Sequence, residues 1–393
     1  MSVGVCVINR NGIALSADSA ATFTVNKMFY NSVNKVFKLS SKYPCGAIIY
    51  NNLSINNVSV EQIIKEFSVY LDSEDSLNDL YEIISLFEKF ISEKYAYYKF
   101  DRDEVEPTHS LITALVDDWG KKINDVLNED DGIGKAESLI KKLREQIDKT
   151  VKASRTSMHA YISGKYRDYY DELVTNNLKA LNTHNDFKQV LWDNICDYFL
   201  LPLDREKHTT GILFAGYGSE DAYPKFIGIE IRAVLGGTIK CFEFERYEAI
   251  DGGGKIRPLA QEEVVNTFCK GISQEYIDAI PRYVTESITN KIQTLSNTFS
   301  DEQKSELEKV FATCANEVTD NIRSMIRKNN IEPLMNSVML ISLHEMAFLA
   351  ESLVNITSLK RTYSLDGFQQ TVGGPTDVAI ISKGDGFLWV KKK

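Results

Sequence analysis

Residues 2–18, with the sequence SVGVCVINRNGIALSAD, predict a buried β-hairpin. Apolar side chains occupy both alternating positions of residues 3–8, a pattern typical of a strand that is buried on both faces. Asn11-Gly12 is the strongest short signal for a hairpin turn, and Ile13–Ala17 follow as the return strand. The stretch therefore predicts two antiparallel strands inside a sheet that is covered on both sides.

Strands and helices follow one another in blocks along the rest of the chain. The predicted strands are 35–39, 46–50, 210–216, 225–232, 238–246, 376–382 and 387–390. Two predicted helices begin at the capping boxes Ser59–Gln62 and Ser300–Gln303, and two more cover about 260–298 and 333–357. From 75 to 207 the apolar spacing is helical throughout. Because strands from distant blocks must meet to form sheets, the order predicts an α+β layered protein with a helical insertion.

Composition narrows the classes of function. The 393 residues carry a formal net charge of −10, which argues against a nucleic-acid partner. Six cysteines without a CxxC pair favour free thiols in a reducing compartment. Charged residues interrupt the apolar stretch 338–354, and the first residues lack a basic leader, so we expect a cytoplasmic protein that has no membrane contact.

The first forty residues resemble the start of proteasome-type N-terminal-nucleophile (Ntn) hydrolases, and the chain is similar to bacterial proteasome homologues. Ser2, Gly12 and Asp18 match the offsets of that family's nucleophile, hairpin glycine and aspartate, and Lys35 lies one residue later than its lysine. Weaker matches are 45–52, 212–218, 225–231, 249–254 and 372–378. The resemblance implies the four-layer αββα fold, built discontinuously from 1–74 and 209–393, with 75–208 as the all-helical insertion.

The resemblance also implies a chemistry for these residues. Removal of Met1 would expose the α-amine of Ser2, which has an ordinary pKa of about 8. This amine would act as the base for the hydroxyl of the same residue. Lys35 would keep the local potential positive, and Asp18 would pair with Lys35, since an unpaired buried charge is costly. The implied function is hydrolysis of amide bonds, of a peptide or protein substrate, without a metal or cofactor.

Other residues follow from the same resemblance. Backbone N–H groups around Asn51 and Asn52 would stabilise the oxyanion, and Gly252 and Gly373 lie in glycine-rich turns that match the family's site. The relatives further imply a homo-oligomer, with the helical insertion as a cap or a surface for a partner protein.

Two alternatives remain open. Gly252, Gln369 and Val372 stand where the family has polar companions of the nucleophile, which favours a catalytically inactive, proteasome-like structural or partner-binding protein. The long insertion could instead close the site to peptides, which favours an amidase for small molecules. A zinc site is not expected, because Phe348 occupies the place of the second histidine after His344-Glu345.

Overall fold

The computed structural model describes residues 3–23, 28–30, 32–74, 76–129, 131–148, 155–199, 209–250, 253–294, 300–363 and 373–393. It is a mixed α+β chain with antiparallel sheets. The strands are β1 Val3–Asn9, β2 Gly12–Asp18, β3 Ala21–Phe23, β4 Met28–Tyr30, β5 Val36–Lys38, β6 Cys45–Asn51, β7 Ser54–Ile55, β8 Val58–Ser59, β9 Thr210–Gly216, β10 Lys225–Leu235, β11 Thr238–Glu248, β12 Lys255–Ala260, β13 Thr376–Ser382 and β14 Gly386–Lys391.

The helices alternate with these strands in blocks. They are α1 Val60–Ser73, α2 Ile83–Lys94, α3 Phe100–Asp103, α4 Val105–Leu115, α5 Lys121–Leu127, α6 Gly132–Asp148, α7 Arg155–Asn177, α8 Lys179–Thr183, α9 Asn185–Tyr198, α10 Glu262–Lys270, α11 Gln274–Thr294, α12 Asp301–Ile326, α13 Glu332–Leu340 and α14 Leu343–Tyr363. A short 3₁₀ helix, Leu80–Glu82, precedes α2. None of the described helices combines the length and the apolar character needed to cross a membrane.

Two five-stranded sheets form the centre of the molecule. The first sheet has the strand order β12-β1-β2-β13-β14, and the second has the order β11-β10-β9-β6-β5. All neighbouring strands in both sheets are antiparallel. Strands from the two ends of the chain therefore lie side by side, as the sequence predicted from the separated blocks.

The β1–β2 hairpin turns one residue earlier than the sequence predicted. Asn9 pairs with Gly12, so Arg10 and Asn11 form the turn and Gly12 opens β2. Gly12 has a φ of 148°, and a Cβ atom there would lie 2.3 Å from the carbonyl oxygen of Ile381. Only glycine fits this position, because the backbone of β13 passes directly beside it.

Apolar cores lie on both faces of each sheet. One core lies between the two sheets and includes Ile8, Leu15 and Leu213. Another lies between the second sheet and α1 and α2, and a third lies between the first sheet and α13 and α14. Helices thus cover the outer faces of both sheets, which explains why β1 and β2 are apolar on both faces.

A further core belongs to the helices between Phe100 and Phe199. Its large side chains include Tyr170 and Trp192, whose rings stack at 4.7 Å. Ala233 and Leu235, at the end of β10, also join this core. The β10–β11 hairpin therefore connects these helices to the second sheet.

Strand β12 is absent from the sequence prediction, which placed a helix from about 260. It pairs with β1 at the edge of the first sheet, with Val5 opposite Pro258. An edge strand tolerates proline because one side of its backbone needs no ladder hydrogen bond. Lys255 and Arg257 alternate with buried residues as in a strand, but the run is only six residues long and contains a proline, which argues against a strand in the sequence.

Candidate functional site

The candidate site lies at the end of the β1–β2 hairpin, opposite its turn. The register pairs Gly4 with Ala17, so that Asp18 ends β2 directly beside Val3 at the start of β1. The backbone N–H of Val3 donates to Asp18 Oδ1 over 2.9 Å. The hairpin therefore holds the aspartate against the first described residue of the chain.

Four donors converge on the Asp18 carboxylate. Lys35 Nζ donates to Oδ1 over 2.6 Å, in addition to the Val3 N–H. The N–H groups of Gly373 and Ala20 donate to Oδ2 over 3.2 Å and 3.3 Å. Hydrogen bonds to the ionised form favour a carboxylate that is taken out of water.

Lys35 brings a charge from the second sheet to the first. It directly precedes β5, and its carbonyl accepts the N–H of Ile49 in β6 over 2.8 Å. The side chains of Lys35 and Asp18 are 2% and 0% exposed. The ion pair is therefore buried between the sheets, and the loss of either partner would leave the other as an uncompensated buried charge.

Burial lowers the pKa of Lys35 below its ordinary value, because desolvation disfavours the ammonium form. The charge of Asp18 and its hydrogen bond oppose this shift, and the positive charge of Lys393 adds to it. The site therefore holds a cation whose proton is easier to remove than that of a lysine in water.

Asn51 and Asn52, the predicted oxyanion residues, lie at the end of β6. Asn51 has a left-handed φ of 62°, and the N–H of Asn52 donates to the carbonyl of Thr209 over 3.2 Å. Successive N–H groups of a strand point to opposite edges. The N–H of Asn51 therefore points to the same side as that of Ile49, which is the side of Lys35.

The structure brings some of the predicted residues together. Asp18, Lys35 and the backbone of Gly373 meet, as described above. Ser2 and Gly252 lie outside the described residues.

Lys393 is a residue of this site that sequence reasoning missed. Its ammonium group donates to the carbonyl of Val33 and lies 3.6 Å from Asp377 Oδ2. Its backbone N–H donates to Asp377 Oδ1 over 2.9 Å. No local pattern could reveal this contact, because it joins positions that are 360 residues apart.

A metal cluster and a groove are two further kinds of site that a chain of this size can hold. Among the described residues, no group of three or more His, Cys, Asp or Glu side chains is placed to hold a metal ion. A groove of about 710 Å³ lies between α6 and α9, and its apolar lining includes Ile133, Ile140 and Phe187. The groove is on the helices between Phe100 and Phe199. None of its lining residues belongs to the Asp18 cluster, which consists of Asp18, Lys35 and the backbone N–H groups of Val3, Ala20 and Gly373.

Comparison with known proteins gives similarities to solved structures. No family model and no curated protein matches the sequence. Among solved structures, the chain is similar to an Anbu (Gly-1) mutant from Hyphomicrobium sp. strain MC1, with 9% identity, a TM-score of 0.38, and coverage of 100% of this chain and 86% of that chain. It is also similar to Anbu (ancestral beta-subunit) from Yersinia bercovieri, with 9% identity, a TM-score of 0.35, and coverage of 99% and 87%.

These comparisons correct one prediction. The resemblance of the first forty residues predicted membership of the proteasome-type Ntn hydrolases, and that prediction is wrong, because no family model matches and both structural similarities lie below a TM-score of 0.5. The physical reason lies in what the matched spacing encodes. Gly12, Asp18 and Lys35 are required by a buried hairpin and by an ion pair between sheets, and neither requirement is specific to a family.

Proposed function

We propose that this protein hydrolyses amide bonds, with the hydroxyl of Ser2 as the nucleophile after removal of Met1. The proposal concerns the chemistry of the site and does not depend on membership of a family. We also propose that the two sheets and their covering helices form a four-layer αββα scaffold, on which an N-terminal-nucleophile mechanism takes place.

The Asp18 cluster is the observation that carries the proposal. Asp18 accepts the N–H of Val3 and the ammonium of Lys35 on the same oxygen, Oδ1. Ser2 directly precedes Val3 in the sequence. A buried lysine with a lowered pKa and a fixed carboxylate therefore lie at the residue that follows the proposed nucleophile in the chain.

The chemistry follows from the free amine. The α-amine of Ser2 takes the proton of the hydroxyl as the oxygen attacks the substrate carbonyl, and a tetrahedral oxyanion forms. Collapse breaks the C–N bond, the departing amine receives the proton, and the acyl group remains as an ester on Ser2. Water then attacks the ester, with the α-amine again as the base; the C–O bond to Ser2 breaks, the acyl group leaves as a carboxylic acid, and the serine oxygen regains the proton. Lys35 stabilises the negative charge that develops on the serine oxygen, and Asp18 fixes Lys35.

The oxyanion is assigned to the end of β6. The N–H of Asn51 points to the side of Lys35, whereas that of Asn52 is bonded to Thr209. Donors to an oxyanion act from fixed positions, and the strand backbone supplies such a position. The substrates are amides of peptides, with small-molecule amides as the second class for a substrate screen.

The N-terminus and its reactivity test the proposal. The protein, produced without an N-terminal tag, is measured by intact mass before and after treatment with a β-lactone. We expect a mass that lacks Met1 and the addition of one equivalent of the lactone. We also expect Ser2→Ala to remove the adduct while it leaves the fold unchanged.

A matched control uses an exposed serine on α11. Ser287→Ala should retain the adduct, since this residue is exposed on a helix and away from the cluster. Retention of Met1 in the purified protein, or an adduct that persists in Ser2→Ala, would show that Ser2 is not the nucleophile.

A catalytically inactive binding protein is the second candidate. The observation that favours it is that Asp18 already has four donors and joins the two sheets, which is a structural role sufficient to explain its burial. This candidate predicts a wild-type protein without a lactone adduct and a Ser2→Ala variant with the same binding partners as the wild type.

A further inference from the structure

Helix α14 is apolar on two opposite faces. Its inner face packs on the first sheet through buried side chains that include Met346, Ala350 and Leu353. Its other face has four large apolar side chains in contact with solvent: Phe348 (73% exposed), Ile356 (47%), Leu359 (57%) and Tyr363 (80%). A helix that is apolar all round is normally buried on both sides.

The four exposed residues, named here the outer stripe of α14, form a continuous seam. With 3.6 residues per turn, they fall within an arc of about 80°. Ser352 lies near the centre of that arc and is only partly buried. The spacing of Glu345, Ser352 and Leu359 is seven residues, which suits a partner helix that crosses at a shallow angle.

We propose that the outer stripe of α14 is the contact between two copies of this chain, which pack α14 against α14 antiparallel about a two-fold axis near Ser352. A small residue at the crossing point allows two helices to approach within about 8–10 Å. In this register Phe348 of each copy packs against Ile356 of the other. The inference does not depend on the activity of Ser2.

The charges of α14 favour a second copy of the same helix. Exposed Glu345 lies in its first turn, and Lys360 and Arg361 lie in its last turn. An antiparallel two-fold arrangement places Glu345 of one copy beside Lys360 of the other, while Lys360 remains within reach of Glu263 of its own chain at 2.8 Å. A two-fold contact is self-complementary, which a helix with opposite charges at its two ends satisfies.

The mass of the particle in solution tests the proposal. Light scattering or sedimentation equilibrium should give a wild-type particle of at least twice the protomer mass of 44.5 kDa. The variant Phe348→Glu/Leu359→Glu should halve that mass, because it buries four like charges in the contact. Val69→Glu is the matched control, since Val69 is also 73% exposed but lies on α1, which covers the other sheet. This control should keep the wild-type mass.

A cross-link tests the position of the axis. In a Cys314→Ser background, which removes an exposed native thiol, Ser352→Cys should form a covalent dimer under mild oxidation. Val69→Cys in the same background should not. Three results would overturn the proposal. The wild type could have the protomer mass across the concentration range, Phe348→Glu/Leu359→Glu could keep the wild-type mass, or the two cysteine variants could cross-link equally.

Discussion

Asp18 and Glu104 are both fully buried carboxylates that accept a hydrogen bond from a lysine, but they lie in different regions. Asp18 belongs to the sheet body, which comprises the two sheets and their covering helices α1, α2, α10, α13 and α14. Glu104 belongs to the helical block, the helices α3–α9. In each region the carboxylate lies where separate elements meet, and the two clusters show two ways to bury a negative charge.

Four of the five described donors to Glu104 are neutral, and the fifth is the ammonium group of Lys165. The hydroxyl groups of Tyr95, Tyr161 and Tyr166 all donate to its carboxylate, and the N–H of Gly236 donates over 3.1 Å. Lys165 also donates over 2.6 Å, but its side chain is 31% exposed, whereas that of Lys35 is 2% exposed. The ammonium group of Lys165 thus stays partly in water, while that of Lys35 is buried beside Val3.

The difference between the two clusters supports the proposed role of the Asp18 cluster in catalysis. Tyrosines and a solvated lysine satisfy Glu104 completely and tie the helical block to the β10–β11 hairpin. The Asp18 cluster holds instead a desolvated lysine with a lowered pKa. Perturbed lysines of this kind occur at functional sites, and satisfied carboxylate–tyrosine clusters are typical of structural joints.

The two regions also support a proposal about domain organisation. We propose that the sheets and their covering helices form one discontinuous domain and that the helical block is inserted into it. Leu80, Ile83 and Phe87 pack in the core of the second sheet. The structural boundary of the insertion therefore lies near Phe100, later than residue 75, where the helical pattern begins.

The largest expected effect comes from removal of Lys35. Lys35→Met should lower the free energy of unfolding by about 3–5 kcal/mol, because Asp18 would remain as an unpaired buried charge. Lys65→Met is the control, since Lys65 makes a pair with Glu61 at the same 2.6 Å distance but is 62% exposed. That control should cost less than about 1 kcal/mol. Urea denaturation measures both values.

A double variant sharpens this result. Asp18→Asn with Lys35→Met should cost less than the sum of the single changes, since no charge is then left unpaired. Additive losses would show that the two side chains do not depend on each other, contrary to the contact at 2.6 Å.

An intermediate effect is expected from Glu104→Gln. The change weakens five hydrogen bonds at a buried position and should cost about 1–3 kcal/mol. Hydrogen exchange should increase in α4 and α7 and stay unchanged in β1 and β2, because the cluster belongs to the helical block. Glu129→Gln, which alters an exposed pair with Lys135, is the control and should leave exchange unchanged.

The same cluster predicts a dependence on acid. Burial alone would raise the pKa of Glu104, but hydrogen bonds from Lys165, Tyr161 and Tyr95 outweigh it and hold the pKa below the ordinary 4.5. The stabilisation is therefore present above pH 4.5 and is lost as the pH falls through the lowered pKa. The wild type should lose more stability than Glu104→Gln between pH 6 and about pH 3. Equal losses would contradict the assignment.

More of the sheet body than of the helical block could be predicted from the sequence. Strands β1, β2, β9 and β13 follow from their apolar patterns, and the resemblance of the first forty residues implied the ion pair of Asp18 and Lys35 that the structure forms. The Glu104 cluster could not be predicted, because its donors come from the end of α2, from α7 and from the β10–β11 turn, which only tertiary packing brings together. The contact of Lys393 with Val33 was missed for the same reason.

The smallest expected effect lies where the two regions meet. Lys240, in β11, donates to the carbonyl of Phe199 at the end of the helical block. Burial, together with the charge of Arg232, lowers the pKa of Lys240 to about 8. Between pH 8 and 10.5 the unfolded chain binds this proton and the folded chain does not, so the stability of the wild type relative to Lys240→Met should rise with pH over that window. Thermal unfolding of both proteins at pH 7.5 and 9.5 measures the change. If the stability of the wild type relative to Lys240→Met stays constant or falls, Lys240 is in water and the two regions lie further apart than the Phe199 contact indicates.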